Sequence, residues 1–268
     1  TLSIPRWTPI YSSNLSVEVS NYKFINKSDS QIRQNENNLS NFDIVKKEDN
    51  NQISYSLTNF SAFDKEDNMI SMKNIFPSVI LASNKINFDG VKGNFDNWND
   101  YGKWMSKELI NGRQDFSPSQ KAFFQDLVKD AKTDREKVQI LYKHMQNKVR
   151  YIGVQLGVGG LSPFPASYVE SKSYGDCKAL SNYMLSMLDA VGIKSYYTEV
   201  HSGSNSDQDM SEDMMYLQGD HVILYVPLKD EEIWLEATSQ TSAFNYLGSF
   251  TSNRKVFIID ENGGRILT

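Results

Sequence analysis

The chain has 268 residues, of which 39% are hydrophobic and 23% are charged, with a formal net charge of −5 and one cysteine. That length allows one large domain or two modest ones, and we interpret it as two. No apolar run approaches the roughly 18 residues of a membrane span, and an acidic chain without a basic stripe argues against nucleic-acid binding. Small molecules or polypeptides are therefore the expected partners. One cysteine excludes a disulfide scaffold.

Residues 1–95 contain short alternating segments separated by polar turns, namely "LSVEVSNYKFI", "QISYSLTNF" and "SVILASNKINF". Period-two alternation is the strand pattern, so we predict an all-β, sandwich-like domain of unknown function. The chain opens "TLSIPRW", with no initiator Met and no signal peptide, which we interpret as part of a longer protein.

Helices are predicted to dominate residues 98–150. The second of these helices begins at "SPSQ", where Ser117 is the N-cap and Gln120 completes a capping box. The third begins at "TDRE", where Thr133 and Glu136 repeat that arrangement. The first helix carries an apolar face at helical spacing, formed by Trp98, Tyr101, Met105 and Leu109.

A further buried helix is predicted directly after Cys177 and is expected to end at Gly192. Its apolar face comprises Ala179, Leu180, Tyr183, Met184, Met187, Leu188 and Val191. The segments "KSYYTEV", "HVILYV", "EIWLEA" and "KVFIID" then predict an antiparallel meander. Helices followed by antiparallel strands predict an α+β fold for residues 96–268.

Residues 201–220 form an acidic, Ser-rich segment without periodicity, "HSGSNSDQDMSEDMMYLQGD". Loops of this length are often disordered or act as lids, and we expect a solvated flap here. Its carboxylates lack the regular spacing of a calcium loop, so no metal site is predicted.

Cys177 is predicted to lie in the first turn of its helix, with Asp176 as the N-cap and Gly175 allowing a close approach. Unpaired N–H groups and the positive end of the helix dipole favour a thiolate at such a position. A lone cysteine is by default a small core residue. Its place at a helix start instead indicates a nucleophile.

A nucleophilic thiol needs a base, and the chain offers His144, His201 and His221. His144 falls inside a helix and is interpreted as structural, whereas His201 precedes the acidic segment and is interpreted as a surface residue. His221 begins a predicted strand. If the turn "PLKDE" is centred between residues 228 and 229, His221 lies directly opposite Glu236, which can then orient the imidazole.

The segments "YGDCKALSNYMLSMLDAVGIKSYY" and "DHVILYVPLKDEEIWLEATSQ" resemble the transglutaminase-like core domain. The resemblance is to the bacterial branch, common among Bacteroidetes, in which this core follows an N-terminal β domain of unknown function. It implies a papain-like α+β core at residues 96–268, with the nucleophile's helix packed on an antiparallel sheet. It also implies Cys177 as nucleophile, His221 as general base and acid, and Glu236 as the orienting carboxylate. Most relatives carry Asp in LDPT-like sequence where this chain reads "LEATS".

An oxyanion formed by thiol attack needs hydrogen-bond donors. The candidates are the backbone N–H of Cys177, Gln155, Tyr174 and the backbone of residues 157–160.

The residues and the resemblance together predict a cysteine acyl-transfer enzyme that hydrolyses peptide or amide bonds and needs no cofactor. The resemblance further implies export to the periplasm or cell surface. The alternative is a transglutaminase-like fold kept as a peptide- or glycan-binding module with a weakened triad. Deglycosylation of Asn-linked glycans is a third possibility, for which the sequence offers no supporting feature.

Overall fold

A computed structural model of the chain describes residues 3–64, 75–154, 156–203 and 210–268. It is a mixed α+β structure with several antiparallel sheets. The chain divides into two compact units, the first comprising residues 1–87 and 92–94 and the second comprising residues 88–91 and 95–268. The assignment of the first unit as the β-rich domain and of the second unit as the papain-like α+β core stays a prediction.

The first unit is built mainly from strands. An antiparallel sheet has the order β1-β4-β3, and β2 pairs separately with β5. Tyr55 and Leu57 of β4 share a core with Val79 and Leu81 of β5, and Trp7 packs into the same cluster. The sandwich arrangement itself stays a prediction. The strand bounds are β1 Val17–Ile25, β2 Ile32–Asn37, β3 Ile44–Asp49, β4 Gln52–Phe60 and β5 Ser78–Ser83. Two further strands, β6 Lys85–Phe88 and β7 Val91–Asn94, lie in the stretch of sequence where the chain passes from the first unit to the second.

The second unit contains the remaining elements. Its helices are α1 Trp98–Trp104, α2 Pro118–Leu127, α3 Asp134–Lys148, α4 Ala166–Lys172, α5 Cys177–Ala190 and α6 Gly248–Thr251. Its strands are β8 Arg150–Tyr151, β9 Tyr174–Gly175, β10 Tyr196–Val200, β11 His221–Pro227, β12 Glu232–Leu235, β13 Val256–Asp260 and β14 Gly263–Leu267. A π-helical segment, Met105–Ile110, continues α1, and a short 3₁₀ turn spans Gly157–Gly160.

The helix starts follow the predicted capping chemistry with one exception. Ser117 and Gln120 form the full capping box of α2. Thr133 caps α3 by accepting from the Glu136 N–H, as predicted. The second hydrogen bond of the predicted capping box, from the Thr133 N–H to the Glu136 carboxylate, was wrong, because this carboxylate accepts from the Lys132 N–H instead. This carboxylate therefore satisfies a donor one residue further out than a capping box requires.

The main sheet has the order β12-β11-β10-β13-β14, and all its pairings are antiparallel. Strands β10 to β12 form the predicted meander. β13 then returns to the free edge of β10, so the meander does not extend through all four predicted strands. β14 was not predicted, because its sequence "GGRIL" begins with two residues that are poor strand formers.

Helix α5 packs on one face of this sheet and fixes the position of the residue that begins it. Its predicted apolar face is almost entirely buried against Leu224 of β11 and Leu235 of β12. Each fully buried apolar side chain contributes roughly 1.5–3 kcal/mol to stability. Polar side chains of the helix are buried too: the Ser181 hydroxyl donates to the Val222 C=O of β11, and the Asn182 amide donates to the Arg113 C=O. α5 is thus a central helix, not an amphipathic surface helix.

The expectation of a solvated flap at residues 201–220 was wrong for the part that is described. Met210, Met214 and Met215 are all buried. The Trp98 indole N–H donates to the Glu212 C=O at 3.2 Å. Unbranched methionines fill irregular gaps well, so a polar, aperiodic segment can still pack closely. Residues 204–209 of the predicted flap lie outside the described residues.

Candidate active site

Cys177 is the first residue of α5, as predicted. Asp176 is the N-cap, and its carboxylate accepts from the Ala179 N–H at 3.0 Å. A Cβ on Gly175 would lie 2.7 Å from the Ala179 Cβ, so only glycine allows β9 to approach the helix this closely. The sequence "GDC" therefore places a thiol where the first-turn N–H groups have no intrahelical partners.

His221 is the first residue of β11, directly opposite Val200 of β10. The predicted pairing of His221 opposite Glu236 was wrong. The Leu228 N–H closes the turn on the Glu231 C=O, so the turn centre lies one residue further along than expected. Leu224 consequently pairs with Leu235.

Moving a turn centre by one residue shifts every cross-strand partner by two, which preserves the face of the sheet. His221 and Glu236 are therefore diagonal neighbours on one face. Their side chains still meet, with 2.9 Å between His221 Nε2 and Glu236 Oε2. The register was mispredicted, but the two side chains are in hydrogen-bonding contact.

Both oxygens of the Glu236 carboxylate are engaged. Oε2 contacts His221, while Oε1 accepts from the Thr238 N–H at 3.0 Å and from the Thr238 hydroxyl at 2.5 Å. The backbone C=O of Glu236 accepts from the Tyr142 hydroxyl at 2.9 Å. Burial alone would raise the pKa of Glu236, but His221 and Thr238 outweigh it and lower the pKa below its ordinary value. The site thus holds this carboxylate ionised in a fixed orientation.

The pKa of His221 is affected by burial and by two neighbours, Cys177 and Glu236. Burial would lower the pKa of His221, but hydrogen bonding and charge interactions with Cys177 and Glu236 raise it to about 9. Nε2 is the ring nitrogen that contacts Glu236. The side chains are largely enclosed, with exposed fractions of 3% for Cys177, 8% for His221 and 5% for Glu236. The raised pKa keeps His221 protonated beside the ionised carboxylate of Glu236.

The two residues that flank Cys177 in the sequence form a buried ion pair. The Lys178 ammonium contacts the carboxylate of Asp176, and both residues are almost fully buried. Glu199 on β10 interacts electrostatically with Lys178, and burial raises the pKa of Glu199 to about 7. The charge of Lys178 is therefore matched chiefly by Asp176, the same residue that caps α5.

Replacement of Asp176 by alanine is expected to destabilise the fold by about 3–5 kcal/mol. The change removes the α5 cap and leaves the Lys178 ammonium buried without its carboxylate partner. Urea unfolding measures the loss. Thr133→Ala is the matched control, since it removes only the cap of α3 and should cost about 1 kcal/mol. Adding Lys178→Met to Asp176→Ala should recover most of the loss, and equal costs for the two caps would contradict the role of the ion pair.

The other predicted site residues have different surroundings. The Tyr174 hydroxyl pairs with the Tyr168 hydroxyl at 2.5 Å, and its oxyanion role stays a prediction. Gln155 lies outside the described residues. His144 packs against Phe123 and Phe124, and burial lowers its pKa.

His201 and the Gly157–Gly160 turn complete the sequence candidates. His201 Nδ1 lies 3.4 Å from the Asp220 carboxylate. The turn lies against Phe88 and Asp89, since Cβ atoms on Gly160 and Gly157 would approach their side chains at 3.0 Å and 2.7 Å respectively. No interaction between either feature and the Cys177 thiol appears in the described contacts.

Three residues near the site were not identified from the sequence. Thr238 had a local signal, because a hydroxyl and an N–H two residues after a carboxylate can both reach it. Phe250 of α6 packs edge-on against the His221 ring, with 5.3 Å between ring centroids. Tyr151 of β8 lies near Cys177 through the pairing of β8 with β9. The last two contacts depend on the tertiary fold and left no sequence signal.

Among the residues that the structure describes, no group of three or more His, Cys, Asp or Glu side chains is placed to hold a metal ion. In that same part of the chain, no helix combines the length and apolar character needed to cross a membrane.

Comparisons with known proteins bear on the fold. The chain is similar to a crystal structure described as a "putative protease" from Parabacteroides distasonis ATCC 8503, with a TM-score of 0.60 and 16% sequence identity. The match covers 98% of this chain and 47% of that one, so this chain spans about half the length of its structural neighbour. A weaker match, with a TM-score of 0.38, 10% identity and coverage of 93% of this chain and 81% of the other, is a "putative cysteine protease" from Cytophaga hutchinsonii. No family model and no curated protein sequence matches the chain.

Proposed function

We propose that the chain is a cysteine-dependent hydrolase of peptide or amide bonds, with Cys177 as nucleophile, His221 as general base and acid, and Glu236 as orienting carboxylate. The observation that carries the proposal is the 2.9 Å contact between His221 Nε2 and the Glu236 carboxylate, on an imidazole whose pKa is raised in part by Cys177, the one cysteine of the chain. Such a thiol, base and carboxylate are the components of a nucleophilic triad.

In the proposed reaction the Cys177 thiolate attacks the carbonyl carbon and forms an S–C bond. His221 then gives its proton to the amine nitrogen as the C–N bond breaks, which leaves a thioester on Cys177. His221 next removes a proton from water, the hydroxyl adds to the thioester carbon, and the thiolate departs as the carboxylic acid forms. The Cys177 N–H is the proposed oxyanion donor, because the first residue of a helix has no intrahelical acceptor for this group.

The proposal includes membership of the transglutaminase-like group with a papain-like core at residues 96–268. Its support is the nucleophile's helix packed on an antiparallel sheet, with the histidine on a neighbouring strand. Glu236 stands where most relatives have Asp. Two hydrogen bonds from Thr238 fix its longer side chain, which supports an orienting role despite the extra methylene. Export to the periplasm or cell surface rests on the resemblance alone.

A binding module that retains the fold without turnover is the second candidate. The observation favouring it is the low exposure of Cys177, at 3%. A peptide or a glycan would be its ligand. The two candidates differ in the reactivity of the thiol, because a hydrolase needs an accessible thiolate and a binding module does not.

Alkylation by iodoacetamide at pH 7 separates these candidates. We expect Cys177 to react at least about tenfold faster than free cysteine, because the thiolate is the reactive form and His221 stabilises it. The mass of the intact chain reports the reaction without ambiguity, since no other cysteine competes. His221→Ala should remove the acceleration, whereas His144→Ala should retain it. A thiol that reacts no faster than free cysteine, and equally in both variants, would favour the binding module.

A further inference from the structure

The proposed catalytic pair is accompanied by a partly exposed aromatic ring on the histidine side. Phe250 meets the His221 ring at an interplanar angle of 69°, yet 47% of its surface remains exposed. Ligand-binding sites are lined chiefly by apolar and aromatic side chains around a few polar groups, and Phe250 supplies such a side chain beside His221. Phe250 therefore offers an apolar surface directly next to the imidazole.

The backbone that carries Phe250 is held firmly. The Gly203 N–H donates to the Phe250 C=O at 2.9 Å. The Arg254 guanidinium donates to the carbonyls of His201, Gly203 and Ser249, which ties α6 to the end of β10. The exposed ring is thus presented by a fixed backbone, which is what a binding surface of defined shape requires.

A second half-exposed aromatic ring lies on the cysteine side. β8 runs parallel to β9, the strand that leads into Cys177, and the Ile152 N–H donates to the Gly175 C=O at 2.9 Å. This pairing brings Tyr151 close to the nucleophile with 46% of its surface exposed. Burial raises the pKa of Tyr151, and interactions with Cys177, Asp176 and Glu236 raise it further.

The direction of the chemistry assigns a role to each ring. The imidazole delivers its proton to the leaving amine, so the part of the substrate that departs first lies on the side of His221. The acyl part is bonded to the sulfur of Cys177. A side chain next to the leaving nitrogen therefore lies nearer Phe250, and one next to the carbonyl lies nearer Tyr151.

We infer that the substrates are polypeptides cleaved between two bulky apolar residues, with Phe250 contacting the leaving-side residue and Tyr151 contacting the acyl-side residue. This inference rests on the proposed hydrolase function and specifies its substrate class. Phe250 and Tyr151 are specificity-determining residues in this assignment, and they take no part in proton transfer.

A matrix of internally quenched peptides tests the assignment. Phe, Leu, Ser and Asp are placed at each of the two positions that flank the scissile bond, and kcat/KM is measured for every combination. Unaltered chain is expected to prefer Phe or Leu over Ser by about 10- to 100-fold at both positions. Phe250→Ala should reduce the preference to about threefold or less at the leaving-side position only. Tyr151→Ala should do so at the acyl-side position only, and Phe250→Leu should retain most of the leaving-side preference.

The control is Phe123→Ala. Phe123 is also half-exposed, at 50%, and also packs against a histidine ring, that of His144, with 5.6 Å between centroids. It should leave both preferences unchanged. Because preferences are ratios between substrates, any general effect of Phe250→Ala on His221 cancels.

The outcomes separate this inference from the proposed function. Cleavage with no apolar preference, or preferences that survive both alanine variants, would overturn the inference and leave the hydrolase proposal standing. If the unaltered chain cleaved no peptide in the matrix, the inference would be overturned, and the rate of Cys177 alkylation by iodoacetamide would decide the hydrolase proposal separately.

Discussion

Replacement of Cys177 by alanine is expected to lower kcat/KM for peptide hydrolysis by about 10³-fold or more, and His221→Ala is expected to have an effect of similar size. The thiolate is the proposed nucleophile, and without the imidazole it loses both its activation and the proton needed by the leaving amine. Steady-state kinetics on a peptide that the unaltered chain cleaves provides the measurement.

The strongest form of this test is the double variant. Residues that act as one unit are non-additive, so Cys177→Ala with His221→Ala should be no slower than the worse single variant. His201→Ala is the matched histidine control and should stay within about threefold of the unaltered chain. Circular dichroism establishes that each variant is folded. If folded Cys177→Ala retained full activity, the thiol would have no part in the chemistry.

The position of Cys177 at a helix start could be predicted because it depends on local chemistry. "GDC" combines a glycine for a close approach, an N-cap carboxylate and a thiol, and these features act within one helical turn. In the structure the Asp176 carboxylate accepts from the Ala179 N–H, and α5 ends before Gly192, which has a φ of +75°. The starts of α2 and α3 were predictable for the same reason.

The contact between His221 and Glu236 was reached through a wrong register. The alternation of side chains fixed which face each residue occupies, and that face is insensitive to a two-residue shift. The turn "PLKDE" has several plausible centres, and only the observed Leu228 to Glu231 closure selects one of them. The sequence could therefore predict a shared face but not the diagonal relationship.

What could not be predicted depends on distant segments of chain. Polar strands such as β2, "IRQNEN", and β3, "IVKKED", show little alternation of buried and exposed side chains. Phe250 reaches His221 from 29 residues away through α6, a helix of four residues. Strand pairing and tertiary packing created these features, and neither leaves a periodic signal in the sequence.

Replacement of Glu236 by glutamine is expected to move the alkaline limit of activity to lower pH, by about one unit or more. Gln keeps the size and hydrogen-bonding capacity of the side chain but removes its negative charge. Burial favours neutral His221, and the charge of Glu236 is one of the interactions that raise the His221 pKa to about 9. Without it, the imidazolium loses its proton at lower pH, and the imidazolium is the form that pairs with the thiolate.

The same substitution should lower kcat/KM at pH 7 by about 10²-fold or more, since the carboxylate also fixes the ring orientation and tautomer. A pH profile of kcat/KM from pH 5 to 10 measures both effects. Glu232→Gln is the matched control, because Glu232 begins β12, the strand that Glu236 directly follows, and accepts a hydrogen bond from the Tyr225 hydroxyl instead of contacting the histidine. Its profile should superimpose on that of the unaltered chain.

Stability should report the same interaction independently of activity. A group whose folded pKa of about 9 exceeds its ordinary 6.5 stabilises the fold fully below about pH 6.5, and this contribution is lost as the pH rises to about 9. The unaltered chain should therefore lose more thermal stability between pH 6.5 and 9 than Glu236→Gln does. If the unaltered chain and Glu236→Gln lost stability in parallel and kept the same alkaline limit of activity, the charge of Glu236 would not raise the pKa of His221.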